Sequence, residues 1–147
     1  MCPYTPRVQV CVEPRLSAAR RAREFVRQHT CTRHASNVVD VALLLVSELV
    51  TNAVRHGRPP IRVEMDCEGE HSIAVRVHDG GASLPAVIDL TTDVDPSAEG
   101  GRGLAIVQAL SDSWGVTGVD GGKAVWFRLD PTAAGQGRGD LSAAASA

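Results

Sequence analysis

Glu48, Asn52 and His56 stand at i, i+4 and i+8 in an otherwise apolar stretch. A helix there would project all three from nearly one side. Polar groups on an apolar helix need partners, because burying one unpaired costs about 1–3 kcal/mol. A carboxylate and an amide carbonyl one turn apart offer hard oxygen ligands to Mg²⁺, directly or through water. The same spacing also describes a solvent-facing polar stripe that ends in a helix-terminal His.

Two further groups carry chemistry. Asp79-Gly80-Gly81 closes the run IAVRVHD. By strand alternation Asp79 shares the face of Val77 and Val75, so its carboxylate points toward the core and wants a donor. The exocyclic amine of adenine would supply one, and glycines let the backbone approach a flat ring closely. The plainer reading is a strand-ending Asp-Gly turn. Gly100-Gly101-Arg102-Gly103-Leu104 precedes a helical pattern. Glycines at a helix start expose backbone N–H groups to an anion, and a guanidinium suits phosphate. A Gly-rich helix start without a ligand is the competing reading.

These residues need elements to hold them. The stretch ASNVVDVALLLVSELVTNAVRHG at 35–57 predicts a long apolar helix, with Asn37 as its N-cap, Asp40 in its first turn, and Gly57 and Pro59-Pro60 as its stop. Ahead of it, 7–12 alternates like a half-buried strand. Ser17 can cap a helix through 29, with Ala18, Ala22, Phe25 and Val26 on one face. Arg20, Arg21, Arg23 and Arg27 cover the other, as a solvated face or a surface for an acidic partner. Alternation at 61–67 and 73–78 around Glu68-Gly69-Glu70 predicts a hairpin with one wet face. A second hairpin is expected at 114–129 around Asp120-Gly121-Gly122, after a helix resuming at Gly103. Residues 79–101 lack periodicity and predict a functional loop of lid type. The Ala, Gly and Ser-rich residues 131–147 predict a disordered tail after a single domain at 1–130. Helices and antiparallel strands that mix without strict alternation predict an α+β, two-layer sandwich. No GxGxxG follows a first strand and no GxxxxGK[ST] is present, which sets aside dinucleotide-binding and P-loop folds.

The 147 residues suit one domain, and 44% apolar with 22% charged residues is ordinary globular composition. A net charge of −2 gives nucleic acid no electrostatic footprint to follow. Cys2, Cys11, Cys31 and Cys67 have neither CxxC spacing nor nearby histidines in a ligand pattern. They are expected to be reduced and mostly buried. With no basic-then-apolar N-terminus and no uninterrupted apolar run near ~18 residues, a cytoplasmic protein off the membrane is expected.

Order and spacing join the groups. SELVTNAVRHG at 47–57, VHDGG at 77–81, GGRGLAIVQALSDSWGV at 100–116 and GGKAVWFRL at 121–129 together resemble the GHKL, or histidine-kinase-like ATPase, superfamily. Within it, the chain is most similar to the single-domain anti-sigma-factor serine kinases. The resemblance implies the Bergerat fold, with helices on one face of a mixed, mostly antiparallel sheet. It implies Glu48 as general base, Asn52 as holder of Mg²⁺ on the ATP phosphates, and Asp79 as the adenine partner. Gly101 and Gly103 would shape the lid hinge and phosphate site, with Arg102 near the phosphates. The nucleotide-binding set implied is Asn52, His56, Asp79, Gly81, Gly101, Arg102, Gly103 and Leu104. Expected partners are an anti-sigma factor antagonist or a sigma factor, and members of the family often form homodimers. Two departures stand out: Ser83 replaces the last Gly of a DxGxG pattern, and the segment at 82–100 is short for the lid of a sensor kinase. No phosphoacceptor helix region precedes the domain, so a complete histidine kinase is not expected. A module that binds ATP without phosphoryl transfer, and a degenerate domain that binds none, remain as alternative readings.

Overall fold

Ile61, Val63, Met65 and Cys67 alternate with Arg62, Glu64 and Asp66, and an extended chain must send the two sets to opposite faces. The computed structural model, which describes residues 7–31, 34–68, 72–81, 99–119 and 121–130, follows that alternation throughout. Its elements are β1 (Val8–Val12), α1 (Ala18–His29), α2 (Ser36–His56), β2 (Ile61–Glu68), β3 (Ser72–Asp79), α3 (Glu99–Leu110), β4 (Ser113–Val119) and β5 (Gly122–Leu129). One five-stranded sheet runs β1-β2-β3-β5-β4. Each of its pairings is antiparallel, within the mixed, mostly antiparallel sheet expected.

One face of the sheet is apolar and covered. Ile61, Val63, Met65, Ile73, Val75, Val77, Phe127 and Leu129 are at most 2% exposed. The helices pack on that side, with α2 touching α1, α3 and β3. The buried residues of α2 are Val38, Ala42, Leu43, Leu45, Val46, Leu49, Val50 and Ala53, and burying each of its larger aliphatic side chains contributes roughly 1.5–3 kcal/mol. By length and mean hydropathy, 1.6 over its most apolar window, this 21-residue helix would also suffice to cross a membrane. Here those apolar positions form the core.

The opposite face is charged. Asp66 Oδ2 lies 3.1 Å from Arg7 Nε and 3.5 Å from Arg76 Nη1. Glu64 lies 3.3 Å from Arg62 Nε and 3.3 Å from His78 Nε2. The cross-strand register Arg62↔His78 and Glu64↔Arg76 places these side chains side by side.

Several local expectations are corrected. Ser17 precedes α1 in a helical conformation, without a side-chain cap bond. The N-cap of α2 is Ala35, and Asn37 lies inside the first turn. Cys67 is buried, but Cys31 is half-buried and Cys11, on the outward side of edge strand β1, is exposed. All three are thiols rather than halves of a disulfide. The expected lid at 79–101 mostly, and the expected tail at 131–147 wholly, lie outside the described residues.

Ser47, the first residue of the SELVTNA block, ties two helices together. Its hydroxyl donates to Leu43 O at 2.8 Å and accepts from Arg23 Nη1 at 3.0 Å. Arg23 therefore has a structural partner among the arginines of α1. Ser47→Ala is expected to lower stability by about 1 kcal/mol, read as a shift in urea midpoint at constant slope.

Candidate functional site

The end of α2 and the end of β3 meet. Helix α2 stops at His56, and Gly57 follows with φ −92 and ψ −166, an extended conformation open to any residue. Its lack of a side chain has another reason. A Cβ at Gly57 would lie 2.6 Å from Asp79 Cγ and 2.7 Å from Ala53 O. The helix stop and the Asp79 carboxyl therefore occupy one small space. The chain then turns past Arg58, whose carbonyl accepts from Gly80 N–H at 2.6 Å.

Asp79 faces the helix side, as its alternation with Val77 and Val75 requires, and is 5% exposed. Its Oδ1 accepts from Gly81 N–H at 2.7 Å. Its Oδ2 lies 3.5 Å from Lys123 Nζ. The β3–β5 register pairs Asp79 with Lys123 directly. A Cβ at Gly122 would sit 1.9 Å from Asp79 O, so β5 can reach this point only as glycine. The carboxyl is thus enclosed by Gly57, Gly81 and an ammonium, while Gly122 presses on the Asp79 main-chain carbonyl.

Neither Lys123 nor the glycines flanking Asp79 across the fold stood among the expected site residues. One signal was present: Lys123 shares its strand face with Val125, Phe127 and Leu129, so the chain's only Lys belongs to an apolar row. Gly57 read as a helix stop, and its closeness to Asp79 is a tertiary fact that no local pattern carries.

Glu48 and Asn52 lie half-buried one turn apart on α2, while His56, a turn further, is exposed. Asn52 Nδ2 is buried without a hydrogen-bond partner among the described residues. Which end of a side-chain amide carries the nitrogen is an assignment, so this is an unsatisfied amide rather than a specific missing acceptor. Among the described residues no group of three or more His, Cys, Asp or Glu could hold a metal ion. Mg²⁺ needs none, because it takes one or two protein oxygens and fills its octahedron with phosphates and water. Asn52 Oδ1, with Glu48 one turn away, fits that requirement.

The glycine-rich block lies inside α3 rather than ahead of it, since the helix begins at Glu99. The first four N–H groups of a helix have no intrahelical partner, and here they fall on residues 99–102. Gly101 and Arg102 are among them, and Gly103 follows. Leu104 is 6% exposed and belongs to the hydrophobic core, so its side chain packs instead of lining a pocket. Helix α3 packs against α2, which keeps this block on the helix side of the sheet. A concavity of about 630 Å³ opens on the other face, lined by Arg76, His78 and Trp126 among others, and includes none of the expected site residues.

The close approach at Gly122 gives a prediction. Gly122→Ala forces two paired strands apart beside Asp79 and is expected to cost about 3 kcal/mol. At neighbouring Gly121, φ is 78 and nothing lies within 4 Å of an added Cβ, so only backbone strain applies. Gly121→Asn, which tolerates that conformation, is expected to change stability by under about 1 kcal/mol. Chemical denaturation of both variants checks the contrast.

Comparison with known proteins bears on this geometry. The profile of the histidine kinase-like ATPase domain matches residues 12–129, which takes in every element from the end of β1 to the end of β5. No protein of curated function matches the sequence. Among solved structures, the chain superposes on the crystal structure of the RsbU and RsbW domains of Rv1364c from Mycobacterium tuberculosis with a TM-score of 0.61 and 21% identity. That match covers 85% of this chain and 32% of the other, so the chain spans about a third of its neighbour's length. The histidine kinase domain of the blue-light activated histidine kinase EL346 from Erythrobacter litoralis matches at a TM-score of 0.47 and 24% identity, over 63% of this chain and 44% of that one. At 21% identity the match to the RsbU and RsbW domains speaks for the fold, and the profile speaks for the family. The chain belongs to the histidine kinase-like ATPase family, with its α+β sandwich and its helices on one face of the sheet.

Proposed function

We propose that this chain is an ATP-binding regulatory protein: an anti-sigma factor that also phosphorylates a serine or threonine of an anti-sigma factor antagonist. The observation that carries the reading is the buried Asp79 carboxyl, enclosed by glycines at the end of the helix that bears Glu48 and Asn52. Asp79 would accept the exocyclic amine of adenine. Asn52 would hold Mg²⁺ through Oδ1, and the ion would neutralise charge on the phosphates. The N–H groups at the start of α3 would receive phosphate oxygens, aided by the positive end of the helix dipole. Glu48 would accept the proton of the attacking hydroxyl. Holding a sigma factor would be the second activity, and exchange of partners would follow the phosphorylation state of the antagonist.

Titration calorimetry with Mg-ATP tests the nucleotide half of this reading. Wild type is expected to bind, and Asn52→Ala to bind about tenfold more weakly or worse, the loss of one charge-assisted contact. A folded wild type that takes up no nucleotide overturns the reading.

A second reading keeps the nucleotide and drops the chemistry. The ammonium beside Asp79 and the Ser83 departure favour a module in which ATP only sets the affinity for a partner. Partner-dependent release of ADP excludes it.

A further inference from the structure

The wall of the proposed base pocket carries two opposite charges. Lys123 Nζ stands 3.5 Å from Asp79 Oδ2, and the side chains are 8% and 3% exposed. The other carboxylate oxygen is engaged by Gly81 N–H. Taking an ammonium out of water costs several kcal/mol before any attraction returns it. The same inward row continues as Val125, Phe127 and Leu129, so an apolar or hydroxyl residue would suit the strand without that cost. The ammonium also changes what the wall can recognise.

A lone carboxylate sorts purines by the group at C6. It accepts from the amine of adenine and repels the oxygen that guanine carries there. With an ammonium beside it, the wall offers an acceptor and a donor next to each other. Adenine meets them with its 6-amine on Asp79 and N1 on Lys123. Guanine meets them in the other sense, with N1–H and the 2-amine on Asp79 and O6 on Lys123. Both purines then leave no polar group of the wall unpaired, which is the condition that otherwise makes such sites selective.

We propose that Lys123 makes this base pocket tolerant of 6-oxopurines, so that the protein takes guanine nucleotides as well as adenine nucleotides. The proposal rests on the nucleotide-binding reading of the same site. Calorimetric titrations of the full chain with Mg-ATP and Mg-GTP test it, on wild type, Lys123→Thr and Lys123→Arg. Wild type is expected to bind the two within about tenfold of each other. Lys123→Thr is expected to widen the preference for ATP to about 100-fold, by leaving O6 without its cationic donor. Lys123→Arg keeps a cationic donor and is expected to stay near the wild-type ratio. Wild type that binds ATP but discriminates against GTP by about 100-fold overturns the proposal, and so does a Lys123→Thr ratio equal to that of wild type. If Lys123→Thr fails to fold, the wild-type ratio alone decides. Absence of binding for both nucleotides overturns the nucleotide reading itself, a different result from either.

Discussion

Asp79→Ala is expected to lower stability by about 3–5 kcal/mol, far more than the loss of one turn hydrogen bond would explain. The carboxyl is 3% exposed and its neighbour Lys123 is 8% exposed, so the substitution takes from a buried ammonium the negative charge 3.5 Å away. It also removes the acceptor of the Gly81 N–H, which fixes the turn after β3. The two causes are separable. In the double variant Asp79→Ala, Lys123→Met, neither charge of the pair remains, and most of the lost stability is expected to return, because a buried ion pair exchanged for apolar groups of similar volume is often neutral or stabilising. Asp79→Asn keeps the shape and an acceptor, and should fall between the two. A double-mutant cycle from urea midpoints measures the coupling of the pair. A double variant as unstable as Asp79→Ala would assign the cost to the turn and would remove Lys123 from the account. Nucleotide binding is expected to fail in both alanine variants, since a restored fold does not restore the acceptor for the base.

Much of this architecture was legible in the chain because each element carries its own period. Ala18, Ala22, Phe25 and Val26 mark one face of α1 by sequence spacing, and those residues are the ones buried. The alternation in β2 and β3 separates the apolar face from the row of Arg62, Glu64, Arg76 and His78. Helix starts were less legible. The sequence offers Ser17 and Asn37 as caps by residue type, yet α1 carries no side-chain cap bond, and α2 begins one residue before Asn37. Both helices are held by burial of an apolar face, and a cap worth about 1 kcal/mol does not decide where such a helix begins. The two hairpin pairings were legible, but the order that joins them into one sheet was not. The placement of β5 between β3 and β4 depends on pairings 50 or so residues apart, which no local pattern specifies.

The site divides the same way. Glu48 and Asn52 follow from helical spacing, and the inward direction of Asp79 follows from strand alternation. What surrounds Asp79 does not follow. The Gly81 contact is local to the turn, but Gly57 and Lys123 come from separate segments and converge on Asp79 only when α2, β3 and β5 are packed. Gly57 shows why residue type alone misleads here. Its backbone is extended, so a helix-stop argument based on left-handed geometry gives the right residue for the wrong reason; what excludes a side chain is the carboxyl 2.6 Å from where its Cβ would be. Lys123 was equally open to view in its apolar row, and a charged residue in such a row is a request for a partner across the sheet.

On the kinase reading, Glu48→Gln is expected to slow phosphoryl transfer to the partner's hydroxyl by about 10²- to 10⁴-fold, the range for a positioned general base. The substitution keeps the length and half-buried place of the side chain on α2 while removing its capacity to take a proton. Binding should respond differently. Glu48 would act on the attacking hydroxyl and at most through water on the metal, so the affinity for Mg-ATP is expected to stay within about threefold of wild type. Asn52→Ala should show the opposite balance, with weakened nucleotide binding as its first effect. A loss of rate with unchanged nucleotide affinity separates a base from a ligand holder, because an interaction made only in the transition state lowers turnover without touching ground-state binding. Single-turnover transfer measured against a serine-bearing antagonist, beside calorimetry on the same samples, reads both quantities. Undiminished transfer by Glu48→Gln would remove the carboxylate from the chemistry. Catalysis would then rest on positioning and on charge neutralisation at the phosphates, which is where most of the rate of phosphoryl transfer originates in any case.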